Sequence, residues 1–558
     1  MINFIFYTLI VIFAIVLWSI YHEKDRKSKY IARLKKEWGN VSEEEYTGEK
    51  FESLKAFYNS VKDDMLDVDD ITWNDLDMDE IYMLINNTQS SAGEEYLYAM
   101  LRKPCFSKEE MEERSRLMKF FHSAVDKRIE LQIKMSQVGK LNNLSIYQYI
   151  NRLDEQEPGS NVPHYLMILG LLVSVGLIFV SPGLGGIFTV IFVINNIYHY
   201  YSRKANIEKF LSVFSYILRL LDNAKGIHQL DIPELKKYTD TLKQDTEVFR
   251  KFRKRSFVLT SKNVTGDITQ TFLDYIRMLF HIDLIKYNSM LSFLKKNREV
   301  LNRIFINIGF LDSMMAAASF RKMLPYYCEP ELSKGDKPFL SVMDLYHPLL
   351  DEPIPNSISE DRPVLITGSN ASGKSTFIKT LALNAILSQT IYTSISKSYR
   401  SSFFRTYSSM ALRDSIVSHE SYYIVEIKSL KRILDRANSE YPILCFVDEV
   451  LRGTNTLERI AASSRILASL AKRNTLVFAA THDIELTHIM EKYFSNYHFQ
   501  ERISEHEILF DYKLYQGRAI SKNAIKLLGL LGYSEDIIND AEKAAEDFLE
   551  KGEWSNIK

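Results

Sequence analysis

Cysteine is scarce in this chain, with three in 558 residues. Cys105, Cys328 and Cys445 lie far apart and show no CxxC or Cys/His spacing, which excludes a disulfide framework and a thiolate zinc site and leaves reduced, cytosolic chemistry as the expectation. Net charge is equally sparse: 70 Lys and Arg stand against 71 Asp and Glu, a formal charge of -1. No global field draws such a chain to nucleic acid, so any contact of that kind has to come from a local basic face. Internal repeats and extended low-complexity tracts are missing too. The length accommodates roughly three or four domains, each with its own core.

Side-chain charge is missing altogether from two stretches. "MINFIFYTLIVIFAIVLWSIY" (Met1 to Tyr21) carries none, and about 20 apolar residues suffice for a helix to cross a hydrocarbon core. The basic "HEKDRKSKYIARLKK" follows where a cleaved leader would need a small-residue site, so a retained anchor is expected, with Glu23 onward cytoplasmic. Between Glu157 and Arg203 there is again no Asp, Glu, Lys or Arg. "SPGLGG" (Ser181 to Gly186) splits this run into two halves, which predicts a transmembrane helical hairpin over 163–201, returned to the cytoplasm by the basic "YYSRK". A buried hairpin in a water-soluble core is the alternative, and it lacks the polar stripe that such a hairpin would turn to water.

What the chain does contain is a phosphate-binding pattern. "PVLITGSNASGKSTFIKTLALNAIL" places a β-prone run, a Gly-rich turn and a helix-prone stretch in the order of GxxxxGK[ST]. The ATP-binding residues expected from it are Gly368, Ser369, Asn370, Ala371, Ser372, Gly373, Lys374, Ser375 and Thr376. The glycines let backbone N–H groups face phosphate oxygens, and the helix N-terminus adds its positive dipole end. Lys374 is expected to reach the β- and γ-phosphates, and Ser375 to bind Mg2+ through its hydroxyl.

Downstream, "YPILCFVDEVLRGTNT" reads as an apolar strand ending in Asp448 and Glu449. Asp448 is the second expected Mg2+ residue, and Glu449 the group that orients and deprotonates water. A further strand, "TLVFAATHDIEL", delivers His482 as a γ-phosphate contact. Loop, acidic pair and His in this order match the layout of ATPases related to ABC transporters. Strands alternating with helices over 363–480 imply a mostly parallel sheet with nucleotide at its C-terminal edge.

These residues resemble the ATPase domain of the MutS DNA mismatch-repair family, on "YHPLL" (Tyr346 to Leu350), "LITGSNASGKST", "VDEVLRGTNT", "ATHDIELT" and "SKNAIKLLGLLGYSEDIINDAEKA". More weakly, "IGFLDSMMAAASF" (308–320) and "TQSSAGEEYLYAMLRKPCFSKEEMEERSRLMKFF" (88–121) resemble the two ends of that family's helical core and lever region. The resemblance implies a dimeric ATPase that closes around ATP and Mg2+, a homodimer acting on DNA. It also implies a trans signature loop, which falls by position on "DSIVSHESYYIVEI", with Ser418 and Ser421 at the family's serines. His419 and Glu420 stand where the family has Gly and a basic residue, so slow or partner-dependent hydrolysis is expected. The residues before about Asp70 leave no room for mismatch-reading and connector domains, and no aromatic wedge with a following acid is found, so mismatch reading in the usual manner is not expected.

The expected fold class is multidomain α and α/β: a transmembrane anchor (1–21), a cytoplasmic linker (22–69), a first stretch of helical core (70–157), the membrane hairpin (163–201), a second stretch of core with the lever (203–340), a P-loop, ABC-type ATPase domain with a mostly parallel sheet (341–520) and a C-terminal helical dimerisation segment (521–558). Aromatic stripes such as "FLSVFSYILRLL" read as packed core. "KFRKR" (Lys251 to Arg255) reads as a solvated face, with phosphate contact as the functional alternative. Two rival functions are a transporter, for which nearly apolar spans offer a poor path, and a nucleotide-gated membrane scaffold acting on a protein or lipid partner without DNA. A multi-pass membrane location with a cytoplasmic ATPase domain completes the expectation.

Overall fold

The computed structural model describes residues 18, 21, 22, 24–155, 159–250, 252, 275–276, 278–335, 337–369, 372–410, 422–437, 440–503, 508–519, 525 and 532–551. Residues 1–17, Ser418 and Ser421 with the loop between them, all basic residues of "KFRKR" and most of 520–531 lie outside the described residues, as do Asn370 and Ala371. Residues 24–37 are helical, and after them the helices named ahead of the sheets are, in chain order, α1 (Gly48–Val61), α2 (Asp70–Asp75), α3 (Met78–Ile85), α4 (Ser91–Arg102), α5 (Lys108–Ser123), α6 (Val125–Val138), α7 (Ile146–Asn151), α8 (Val162–Ile178), α9 (Pro182–His228), α10 (Lys236–Val248), α11 (Ile282–Lys296) and α12 (Arg298–Met323). The chain forms two compact units. One comprises 1–62, 84–100 and 116–323, the other 63–83, 101–115 and 324–558.

The first unit is helical. Its central helix is α12, in which Leu301, Ile304, Phe305, Ile308, Leu311 and Met314 are among the buried side chains. Each such burial contributes about 1.5–3 kcal/mol relative to exposure. The two upstream stretches that resemble a lever region meet here. A Cβ on Gly309 would lie 2.6 Å from Ala92 O, so glycine permits the close approach of the two segments. Beside it, fully buried Asp312 accepts from Ser90 N at 2.9 Å and Ser90 Oγ at 2.6 Å, satisfying donors at the start of α4. Glu95 does the same for α7, accepting from Ser145 Oγ and Ile146 N, both at 2.7 Å. Desolvation pushes the Asp312 carboxyl up to about 6 and that of Glu95 up to about 8. Lys140 closes the group with contacts to Glu44 at 2.5 Å and Glu94 at 2.9 Å.

In the stretch expected to span a membrane, α8 and α9 form a helical hairpin that turns at 179–181, where Phe179 is 89% and Val180 83% exposed. Val162, Leu166, Leu169, Val173, Ile187, Ile191 and Ile194 are exposed as well. α9 does not end at the basic "YYSRK" but runs unbroken to His228. At the open end of the hairpin the rings of His164, His199 and His281 come within 5.1–5.9 Å of one another. By length and composition the described helix able to cross a membrane is α12, which is 67% buried and serves as a core helix, whereas α8 has 17 residues. The multi-pass expectation therefore finds no support in the length and composition of the described helices taken together.

The second unit carries two sheets. Its elements are β1 (Glu331–Ser333), β2 (Leu340–Leu345), β3 (Asn356–Glu360), β4 (Val364–Thr367), α13 (Lys374–Thr390), β5 (Ser398–Ser402), β6 (Arg405–Ser409), α14 (Tyr422–Arg436), β7 (Ile443–Asp448), α15 (Thr456–Ala471), β8 (Thr475–Ala480), α16 (Ile484–Ile489), β9 (Ser495–Ile503), β10 (Ile508–Gln516) and α17 (Glu535–Lys551). The larger sheet has the order β10-β9-β4-β8-β7-β6 and is parallel except for β10. β4 and β8 are buried at every residue, as continuous apolar strands covered on both faces should be. A smaller mixed sheet has the order β1-β5-β2-β3.

The acidic run "DDMLDVDDITWNDLDMDE" belongs to this unit rather than to a free linker. Asp75 accepts from Ser408 Oγ at 2.6 Å and Met410 N at 3.0 Å, and Thr72 Oγ1 accepts from Ser408 N at 3.1 Å. These bonds satisfy groups of β6, the edge strand of the larger sheet, which would otherwise present an unpaired row. Asp69 caps α2 through Thr72 N at 2.9 Å and pairs with Arg432 of α14 at 2.7 Å.

Candidate nucleotide site

The parallel register aligns the C-terminal ends of three neighbouring strands. Ile366 and Asp448 are both paired with Ala480, so Thr367, Asp448 and Thr481 reach one edge of the sheet. Thr481 N donates to Ile366 O and Glu449 N to Ala480 O, each at 3.0 Å, which ties the strand ends together. Because β8 lies between β4 and β7, His482 emerges between the phosphate loop and the acidic pair.

Two glycines make the loop possible. Gly368 has φ 146° and a Cβ there would sit 2.8 Å from Phe499 O; Gly373 has φ 104° with Tyr512 Cδ1 3.2 Å from the same imagined atom. Both angles belong to the region that side chains other than hydrogen disfavour. Gly373 is the N-cap of α13, so the helix begins at Lys374 and its unpaired N–H groups face the loop. Lys374 is buried and its Nζ donates to Gly368 O at 2.8 Å and Ser369 O at 2.6 Å. Burial pushes its ammonium down to about 8 against the pull of Asp448 and Glu501. Ser372 Oγ donates to Ser369 O at 2.8 Å, and Ser369 Oγ donates to the Glu501 carboxylate of β9. Ser375 and Thr376 are exposed and face a cavity of 470 Å³.

Asp448 has one carboxylate oxygen, Oδ1, that is buried with no hydrogen-bond partner. With the hydroxyl of Ser375 available at the same edge of the sheet, the donors present are oxygen atoms of the hard kind that Mg2+ selects. The residues therefore fit the metal that the phosphate-loop pattern implies. Glu449 stands at φ 57°, and its carboxylate receives His482 Nε2 at 2.7 Å on one oxygen and Arg452 Nε on the other. Burial first, and then the Lys374 charge, hold the His482 imidazole below its ordinary value. Asp483 is fixed separately by two bonds from Arg459, at 2.9 and 2.6 Å.

The structure thus brings together Gly368, Ser369, Ser372, Gly373, Lys374, Ser375 and Thr376 with Asp448, Glu449 and His482. It also adds groups that motif reading passed over. The cavity wall includes Tyr346, His347, Pro353 and Ile354 from the loop between β2 and β3, and Phe499 and Tyr512 from the β9–β10 hairpin. "YHPLL" carries the first two, but its role is visible only once the loop folds beside α13. Burial lowers the His347 imidazole to about 4, and its Nδ1 accepts from Leu349 N at 3.3 Å, so it stays neutral and suits an apolar-walled pocket. Arg452 is the other omission.

A Gly-rich loop at a helix N-terminus, a buried lysine and an acidic pair at one edge of a parallel sheet define an ATP hydrolase of the P-loop class. Residues 364–549 match the family described as MutS domain V. The chain is 26% identical over 377 residues to DNA mismatch repair protein MutS of Thermotoga petrophila, covering 65% of this chain and 42% of that protein. It is 28% identical over 283 residues to the DNA mismatch repair protein MutS of Thermotoga maritima, covering 49% and 34%. Human MutS protein homolog 4 is 28% identical over 316 residues, covering 52% of this chain and 32% of the relative. The chain spans less than half the length of each of these relatives.

Proposed function

We propose that this chain is a membrane-anchored ATPase of the MutS kind, a homodimer in which binding and hydrolysis of ATP switch the grip of the helical unit on DNA. The observation that carries the ATPase reading is the convergence of Lys374, Asp448, Glu449 and His482 at one edge of the sheet. The DNA partner rests on similarity to proteins named for DNA mismatch repair.

In this reading Lys374 exchanges its bonds to the loop carbonyls for β- and γ-phosphate oxygens, and the backbone of 368–374 holds the remaining phosphate oxygens. Ser375 and Asp448 would hold Mg2+, which would neutralise triphosphate charge. Glu449 takes a proton from the attacking water as its oxygen bonds to the γ-phosphorus and the bond to the ADP oxygen breaks. His482 donates to the γ-phosphate when ATP is bound and to Glu449 when it is not, and so reports the nucleotide state. Ser418 and Ser421 of the second subunit complete the site in trans, and His419 and Glu420 beside them slow turnover until a partner adjusts the loop.

Membrane anchoring is supported by the exposed apolar faces of the α8–α9 hairpin and by the absence of charge from 158–202. The bilayer is the occupant that such faces fit, with the ATPase domain on the cytoplasmic side. The test of the hydrolase is direct: E449Q is expected to keep ATP affinity and lose on the order of 10²-fold or more in kcat, and turnover at the wild-type rate would overturn the assignment. The test of the anchor is extraction: the protein should resist alkaline carbonate and yield to detergent, and release by carbonate alone would refute it.

A further inference from the structure

The turn that carries Glu449 is held from outside the strand that precedes it. Glu449 and Leu451 both adopt positive φ, 57° and 59°, a conformation that non-glycine residues leave unless the surroundings enforce it. Leu451 N donates to the carboxylate Oε1 of Glu426, a buried residue of α14. Two residues further on, a Cβ on Gly453 would lie 2.9 Å from Tyr423 Cβ, so the first turn of α14 packs directly on the turn after Arg452. Arg452 in turn grips Glu449 through Nε. The chain from α14 to the catalytic carboxylate is therefore continuous: Tyr423 and Glu426, then 451–453, then Arg452, then Glu449.

We propose that Glu426 is a positioning residue for hydrolysis, fixing the left-handed turn at 449–451 so that Glu449 faces the γ-phosphate. This rests on the assignment of Glu449 as the base. A carboxylate suits the task because a charge-assisted acceptor binds a backbone N–H more strongly than a neutral one, and burial within the domain excludes water from competing. The bond from Leu451 N to Glu426 and the contact of Arg452 with Glu449 together set where the turn can go. Motion of α14 along its axis pulls on Leu451 N and changes the aim of Glu449 without touching the phosphate loop.

The experiment measures ATP affinity with a fluorescent analogue and single-turnover hydrolysis for the full chain, E426A, E426Q and G453A. E426A is expected to keep ATP affinity within about threefold, since no phosphate-loop bond is lost, while hydrolysis falls on the order of 10²-fold from misplacement of the base. E426Q, whose amide oxygen accepts the same bond, should recover most of that loss. G453A, which pushes Tyr423 away, should slow hydrolysis with the same sparing of affinity, and it serves if E426A fails to fold. Hydrolysis by E426A and G453A at the wild-type rate would overturn the inference. So would parallel loss of affinity and rate, because a merely structural helix would lower both. Wild-type protein that binds ATP but turns over no faster than E449Q would instead refute the base assignment, which keeps the two failures apart.

Discussion

Asp75 and Asp77 stand two residues apart in one acidic run, and their truncation should have very different consequences. Asp75 is 3% exposed and accepts from two buried donors, Ser408 Oγ and Met410 N. Replacing it by Ala leaves both donors without that acceptor, at about 1–3 kcal/mol each. A total of ~3–4 kcal/mol, at about 2–4 °C per kcal/mol for a unit of this size, lowers Tm by on the order of 10 °C. Asp77 pairs with Lys379 at 2.7 Å with its side chain 52% exposed, so its loss removes a surface ion pair. Such pairs contribute about 0–1 kcal/mol, so D77A should melt within ~3 °C of wild type. The assay is thermal unfolding of the full chain in detergent, following release of a bound fluorescent nucleotide so that the transition reports the unit containing the site. Equal melting of D75A and D77A would refute the claim that this run belongs to the nucleotide domain.

Further outcomes follow from the same geometry. Because burial holds Lys374 down to about 8, its charge is complete below that pH and lost above it; ATP, which needs the ammonium, should bind more weakly by roughly tenfold per pH unit above about 8, with proton uptake measurable by calorimetry in buffers of different ionisation enthalpy. A pH-independent affinity between about 7 and 10 would contradict this. G368A places a methyl group 2.8 Å from Phe499 O at φ 146°, so ATP affinity should fall at least about tenfold from a strained loop, as read by equilibrium binding; unchanged affinity would show that the loop tolerates the side chain. In the helical unit, G93A sets a Cβ 2.3 Å from Asp312 Oδ2. Displacing that buried carboxylate should destabilise the unit by ~3 kcal/mol or more, detected as faster amide exchange in α4 and α12, and wild-type exchange there would count against the reading.

The features of the site that were legible in the sequence are those whose chemistry is local. Gly368 to Thr376 is one continuous stretch of sequence, Asp448 and Glu449 are neighbours at a strand end, and His482 follows the next strand. Parallel order could be expected from alternating strands and helices, and the charge-free 158–202 announced a hairpin. What the sequence could not display is pairing at a distance. The order β4-β8-β7 puts His482 between loop and base, Asp75 covers an edge strand that lies 333 positions on at Ser408, and Glu426 reaches Leu451 only across the domain. The donors of Asp75 lie more than 330 positions away, so nothing nearby in sequence marks it as buried. The helix lengths were also out of reach: α9 continues past the basic residues that were expected to close the hairpin, since Lys and Arg are good helix formers and do not stop a helix.

An ATP switch at a membrane that acts on DNA should show itself in DNA binding by the anchored protein. The full chain, placed in nanodiscs, is titrated with homoduplex, mismatched and branched DNA in ATP, in ADP and as E449Q, across a series of salt concentrations. Binding should differ between nucleotide states and weaken steeply with salt, as phosphate contacts require. Intact ATP binding with no DNA binding in any nucleotide state would contradict it, and would assign the same ATP-driven machine to a protein or lipid partner.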